Sequence, residues 1–306
     1  MGVNLQILGL LAIPRLAKKF DVDLEGFLTY SDLYGKNAEE FNKAYDNSEK
    51  ILYRLFEEYG ISWWDVYLNS DIGMERTALA RDMELEKDDT VLEVGCGRGY
   101  FSVAAARSAE RVIGLDTMNG GGRCGWWKNF KETIAELGLK RKVLGLKADA
   151  QVIPLKDSSV SKVVAVHSIR NFQNRDAIQN AIREMYRVLS KDGKMIIAEN
   201  IPVARNKSQE AHLAFYKCKC KYSSGDLFYF SQEELQEMFK DKLGETNFKL
   251  ADYNLSAAPP IFYLNTSLLK KEQIEEAQKE YTEAVDLIRK HGETSPPTLI
   301  VKVTKH

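Results

Sequence analysis

Apolar positions recur in two different rhythms along this chain. Up to about Glu84 they return every three or four residues, as Leu52, Leu55, Phe56 and Tyr59 do on one face, and the pattern predicts helices and turns with no convincing strand. From Thr90 the rhythm changes to short β-branched runs, TVLEVG, RVIGLD, KVLGLKAD, KVVAVHS and KMIIAEN, separated by helical stretches. Runs that apolar and that short, alternating with helices, predict a parallel sheet. A helical stripe of Ile178, Ala181, Ile182, Met185 and Leu189 ends before Asp192-Gly193, which reads as a turn into the fifth strand. Ser231 with Glu234 three residues on is a capping box that opens another helix. Phe248 to Leu255 reads as a sixth strand, and TLIVKV from Thr298 as the last. Between them lies a helix with the stripe Ile274, Ala277, Tyr281, Val285 and Ile288, stopped by Gly292 and Pro296-Pro297. The chain thus divides into an N-terminal helical cap over residues 1–84 and an α/β domain over 85–306 with insertions at 201–230 and 256–297.

Composition narrows the classes. Lys plus Arg (43) nearly balance Asp plus Glu (44), so the positive field of a nucleic-acid enzyme is missing and no nucleic-acid partner is expected. Cys96, Cys124, Cys218 and Cys220 form no disulfide-like framework, which suits a reducing, cytoplasmic setting. The apolar run from Leu5 to Leu11 is too short to span a bilayer. Followed by Arg15, Lys18 and Lys19, it suits either a peripheral membrane contact or core packing. Gly2 invites myristoylation, but Gln6 stands where that motif needs Ser or Thr.

The chemistry concentrates at Val91 to Gly99, V-L-E-V-G-C-G-R-G. An apolar strand is followed by glycines at 95, 97 and 99, with Cys96 between them, leading into a helix. Glycine there permits a tight turn and lets a ligand lie against bare backbone. A dinucleotide fingerprint would need G-x-G-x-x-G, and Tyr100 occupies the last position instead. Glu93 also suits a cationic ligand better than a pyrophosphate, as S-adenosylmethionine carries a sulfonium and an ammonium group and no phosphate. Asp116, with Thr117 beside it, ends the second run where a carboxylate can accept both ribose hydroxyls. Asp149 ends the third, placed to accept from an adenine amino group while Ala150 leaves room for the ring. The three strand ends together describe an adenosyl site.

With E-V-G-C-G-R-G as glycine motif and D-A-Q-V-I-P-L-K-D-S-S-V before the fourth strand, the stretch from Thr90 to about Asn200 resembles the class I methyltransferases. Within it, H-S-I-R-N-F and A-I-R-E-M-Y-R-V-L-S-K-D-G-K are similar to the ubiquinone and menaquinone biosynthesis C-methyltransferases. The resemblance implies a Rossmann-like sheet of seven strands with the last antiparallel. It also implies methyl transfer from S-adenosylmethionine to carbon or oxygen of a small aromatic or apolar acceptor. Departures are Ser190-Lys191-Asp192-Gly193 in place of K-P-G-G, a glycine-rich Thr117 to Trp127, and the helix between the last two strands.

In that topology the ligands lie at the carboxyl ends of the strands, so the two insertions and the N-terminal helices would form a lid. Phe215, Tyr216, Tyr222, Phe228, Tyr229 and Phe230, the A-A-P-P-I-F-Y segment, and Trp63, Trp64 and Tyr67 offer an aromatic pocket or, more plainly, lid packing. His167, at the end of the fourth strand and counted with the cofactor residues, is the candidate general base. Arg170 and Asn171 are candidates to orient an oxygen-bearing acceptor, although Arg170 serves equally as a loop anchor. Glu199-Asn200 is a weaker candidate for the same role. Three rivals remain: an arsenite or thiol methyltransferase using Cys124, Cys218 and Cys220, a non-catalytic adenosylmethionine-binding protein, and a dehydrogenase disfavoured by its glycine spacing. Four scattered histidines and no paired C-x-x-C offer no metal site.

Overall fold

The computed structural model describes residues 3–29, 31–118, 126–172, 174–222, 228–239, 243–256, 264, 266 and 269–306. In chain order it contains α1 (Val3–Phe20), α2 (Ala38–Tyr59), α3 (Trp63–Asn69), α4 (Asp71–Asp82), β1 (Thr90–Val94), α5 (Tyr100–Ala105), β2 (Arg111–Asp116), α6 (Trp126–Glu136), β3 (Val143–Lys147), β4 (Val160–Val166), α7 (Arg175–Val188), β5 (Leu189–Asn200), α8 (Lys207–Tyr222), α9 (Gln232–Phe239), β6 (Glu245–Ala251), α10 (Lys271–His291) and β7 (Thr298–Thr304). These elements form two compact units: Met1–Glu75 with Val203–Phe228 and Tyr253–Pro296, and Arg76–Pro202 with Tyr229–Asp252 and Pro297–His306.

The second unit is built on one seven-stranded sheet in the order β3-β2-β1-β4-β5-β7-β6. Strands β1 to β5 pair in parallel, and β7 runs antiparallel between β5 and β6. Central parallel strands are covered on both faces, which is why β1 and β4 are near-continuous apolar runs. On one face Leu92, Val94, Val163 and Ala165 pack with Ile178, Ala181, Ile182 and Met185 of α7, the side of that helix carrying the apolar stripe. Crossovers leave β1 and β4 in opposite directions along the sheet. The gap at their carboxyl ends is therefore the point where a Rossmann-like sheet takes its ligand.

Two boundaries differ from the sequence pattern. Asp192-Gly193 is no turn before β5 but a bulge inside it. Asp192 takes φ 61°, and the register against β4 shifts between Val160 and Lys162. Long-range pairing holds it open, the Asp192 N–H donating to Lys305 O at 2.8 Å and the Lys305 N–H to Gly193 O at 3.0 Å. Strand β6 runs from Glu245 to Ala251 rather than from Phe248 to Leu255, because its pairing with β7 extends from Glu245 opposite Thr304 to Ala251 opposite Thr298.

In the helical unit, Ile7, Leu8, Leu10, Leu11, Ala12, Ile13, Leu16 and Ala17 of α1 are buried. These residues pack within the helical unit, where Leu52 and Leu55 of α2 are also at 0% exposure. No helix among the described residues is long and apolar enough to cross a membrane. Aromatic rings in this unit pack on one another: Phe215 lies 4.8 Å from Tyr34 edge-on and 5.9 Å from Tyr281, and Phe56 lies 4.9 Å from Trp63. The A-A-P-P-I-F-Y segment lies outside the described residues.

Candidate functional site

The loop after β1 folds as its glycines demand. Gly95, Gly97 and Gly99 take φ values of 74°, 50° and 81°, in the left-handed region that a side chain disfavours. The Gly95 and Cys96 N–H groups both donate to Leu115 O, at 2.8 and 3.0 Å, and the Gly99 N–H donates to Cys96 O at 2.8 Å. The Gly97 N–H donates to Asp116 Oδ2 at 2.9 Å, while Asp116 Oδ1 accepts from the Met118 N–H at 2.8 Å. A Cβ at Gly95 would fall 2.5 Å from Ser168 Cβ, and one at Gly99 2.8 Å from the Phe130 ring. The space beside these two glycines is filled by the protein's own side chains, so their missing Cβ atoms serve close packing.

Accessibility divides the remaining candidates. Asp116, His167 and Asn171 are half-buried, Thr117 and Asp149 exposed, and Asp149 Oδ1 accepts from the Gln151 N–H at 2.8 Å. Cys96, Ala150 and Glu93 are buried. Cys96 has its sulfur beneath Gly114, and burial beside Glu93 and Asp116 pushes its thiol well up, so it contributes backbone rather than nucleophile. The charge of Glu93 suits a cationic ligand, but its carboxylate is not at the surface of the loop. It is instead 3% exposed and accepts a hydrogen bond from Ser102 Oγ of α5. Burial raises its pKa to about 7, against the Ser102 hydroxyl and the Arg76 charge, which both favour the ionised form. Glu93 therefore acts from beneath the loop.

At the end of β4, His167 takes φ 49° and its N–H donates to Ala198 O at 2.8 Å. Asn171 Nδ2 donates to the His167 carbonyl at 3.3 Å, and Ser168 Oγ to Val94 O at 2.9 Å. Glu199, 1% exposed, accepts from the Ile169 N–H at 2.8 Å and from Arg170 Nη1 at 2.9 Å. The Arg170 guanidinium lies 4.9 Å from the Tyr229 ring centroid. Of the two roles open to Arg170, acceptor orientation and loop anchor, the geometry suits the anchor, since Arg170 and Glu199 are each buried and engaged with the other. Asn200 is likewise committed, donating from Nδ2 to Thr298 Oγ1 at 3.1 Å. Sequence reasoning missed Arg76, Ser102 and Ser168. Ser168 follows the candidate base directly, but nothing in its local pattern shows that it fills the space at Gly95.

Cys218 is buried and its thiol is pushed up to about 11 by burial, which opposes a soft thiolate site; Cys124 lies outside the described residues. Among the described residues no group of three or more His, Cys, Asp and Glu could hold a metal ion.

A model of the methyltransferase domain family matches residues 92–197, from within β1 to within β5. Over these residues the chain is similar to methyltransferase domains, for which S-adenosylmethionine is the cofactor. The chain is similar to sterol 4-C-methyltransferase strm-1 of Caenorhabditis elegans, 24% identical over 201 residues, covering 62% of this chain and 57% of that protein. It is also similar to a demethylmenaquinone methyltransferase of Bacteroides fragilis, 25% identical over 167 residues, covering 54% and 62%. The match thus spans less than two thirds of either relative. The fold is shared with a cyclopropane-fatty-acyl-phospholipid synthase-like protein from Lactobacillus casei, at a TM-score of 0.60 and 16% identity, over 78% of this chain and 92% of that one.

The site's chemistry fits the cofactor of such domains. A pyrophosphate needs free backbone N–H groups, and those of Gly95, Cys96, Gly97 and Gly99 are all spent inside the protein. A cationic nucleoside with ribose hydroxyls needs acceptors, and each Asp116 oxygen, holding one amide hydrogen, keeps acceptor capacity for another.

Proposed function

We propose that this chain transfers the methyl group of S-adenosylmethionine to a carbon or oxygen of a small, apolar or aromatic acceptor. The observation that supports it most is the engagement of the Gly95, Cys96, Gly97 and Gly99 amides within the protein beside accessible carboxylates at the ends of β2 and β3. The names of the two relatives, a sterol and a demethylmenaquinone methyltransferase, supply the acceptor class, ring systems that are largely apolar.

On this reading Asp116 accepts the ribose hydroxyls with Thr117 beside it, and Asp149 accepts from the adenine amino group over the small Ala150. Glu93 adds negative field from beneath the glycine loop. When bound, the cofactor supplies a methyl carbon already activated by its positive sulfur. The protein's remaining task is alignment and exclusion of water. His167 would hold the proton that the acceptor gives up, and Asn171, bonded to the His167 carbonyl, steadies the turn that carries it.

The test is a screen of sterols, quinols, phenols and amines for S-adenosylhomocysteine release, with calorimetry on the same protein. His167→Ala should retain cofactor affinity and slow turnover. Absence of S-adenosylhomocysteine binding overturns the reading; binding without turnover on any acceptor favours a protein that only binds the cofactor.

A further inference from the structure

We infer that Glu199, Arg170 and Tyr229 form a positioning clamp on the turn from His167 to Asn171, and that Arg170 acts on the reaction only through that turn. The effect on turnover rests on the methyltransferase reading above; the clamp itself stands on geometry.

The turn needs holding. His167 has a left-handed backbone, which a residue with a Cβ adopts only when its surroundings enforce it. The next three residues are tied to the ends of β1 and β5. Ser168 bonds to Val94 O and fills the space at Gly95, joining the turn to the glycine loop. Ile169 and Arg170 share Glu199, one oxygen taking a backbone N–H and the other a guanidinium. Both oxygens of one buried carboxylate thereby fix two consecutive residues of the turn to the end of β5.

Tyr229 closes the arrangement. Its ring stands 4.9 Å from the guanidinium carbon, a distance at which the cation is drawn to the ring face. It is also the residue at which the chain re-enters the sheet unit after Val203–Phe228, so the clamp fixes that return as well. A planar guanidinium can pair with a carboxylate and stack on an aromatic ring at once; an ammonium group cannot. An acceptor taking Arg170 would strand Glu199, buried to 1% exposure, without its charge partner. Arg170 is therefore a positioning residue.

The test follows the ring signals of the four histidines by carbon–proton NMR, with His167 assigned by loss of its signal in His167→Gln. Arg170→Gln and Tyr229→Leu should both displace the His167 signal. Tyr229→Phe, which keeps the ring, should restore it, and Arg170→Lys should not. Affinity for S-adenosylhomocysteine should stay within about threefold, while kcat on an acceptor from the screen falls roughly 10- to 100-fold, the scale of a misplaced catalytic group. Should Tyr229→Leu not fold, Glu199→Gln keeps an acceptor for the Ile169 N–H and should displace the same signal. An unmoved His167 signal in these variants, full rescue by Arg170→Lys, or a rise in acceptor KM at constant kcat would each overturn the clamp. The signals report without cofactor or acceptor, so a protein that bound no cofactor would refute the methyltransferase reading and leave the clamp standing.

Discussion

Asp116 Oδ2 accepts the Gly97 amide hydrogen at 2.9 Å, joining the end of β2 to the loop that follows β1. A single half-buried carboxylate so shapes the loop and keeps acceptor capacity for a further donor. Hydrogen bonds to charged groups contribute about 1.5–3 kcal/mol each, and two ribose hydroxyls would use this one. Asp116→Ala should lower S-adenosylhomocysteine affinity at least about 100-fold by calorimetry. Unchanged affinity would remove Asp116 from the cofactor site.

Gly95 and Ser168 compete for one volume, a Cβ at 95 falling 2.5 Å from Ser168 Cβ. Gly95→Ala carries two penalties: about 1–2 kcal/mol for a left-handed backbone and about 1–3 kcal/mol for overpacking. In the background of Ser168→Gly the second should disappear and the first remain. Urea denaturation of the four proteins of this double-mutant cycle measures both. Additive losses would mean that the two residues do not meet.

The sheet was legible because β1, β4 and much of β2 and β5 are buried between layers and so appear as separate apolar runs. The start of β5 was not. Asp192-Gly193 has the local chemistry of a turn, and only its bonds to Lys305, more than a hundred residues away, keep it in the strand. The site divides in the same way. Glycine spacing and strand-end aspartates are local signals that sequence shows. Whether a carboxylate or guanidinium faces the crevice depends on partners brought by other elements: Ser102 turns Glu93 inward, and Glu199 with Tyr229 holds Arg170.

In the helical unit, Glu293 joins α8 to the segment before α10. Its carboxylate meets His212 Nδ1 and accepts from Ser256 Oγ, all three residues being buried. Glu293→Ala would leave both groups without that partner, at about 1–3 kcal/mol for each buried polar group left unsatisfied. Hydrogen exchange should show faster exchange of the α8 amides, whereas Glu293→Gln, which still accepts from the serine, should lose less. Equal protection in both variants and the parent would mean that this junction does not stabilise the unit.

Glu93 gives the sheet unit a pH dependence whose sign runs opposite to that of an ordinary ion-paired carboxylate. Burial raises it from 4.5 to about 7, so the folded protein holds this proton more tightly than the unfolded chain does. Below the unfolded value both states are protonated and the contribution is fully favourable. Between the two values only the folded state keeps the proton, and each rise of one pH unit removes up to about 1.4 kcal/mol. Above about 7 the loss is complete and the curve levels. Glu93→Gln carries no titrating proton and can still accept from Ser102, so it should flatten this part of the profile. Urea midpoints across about pH 5 to 8 test it, the parent losing stability relative to the variant as pH rises. A cation bound beside the loop should also pull the folded value down and release a proton near neutral pH. Calorimetry of S-adenosylmethionine binding in buffers of different ionisation heat should record that release in the parent and a smaller one in Glu93→Gln. Parallel stability profiles for the two proteins would show that Glu93 is ionised at ordinary acidity despite its burial.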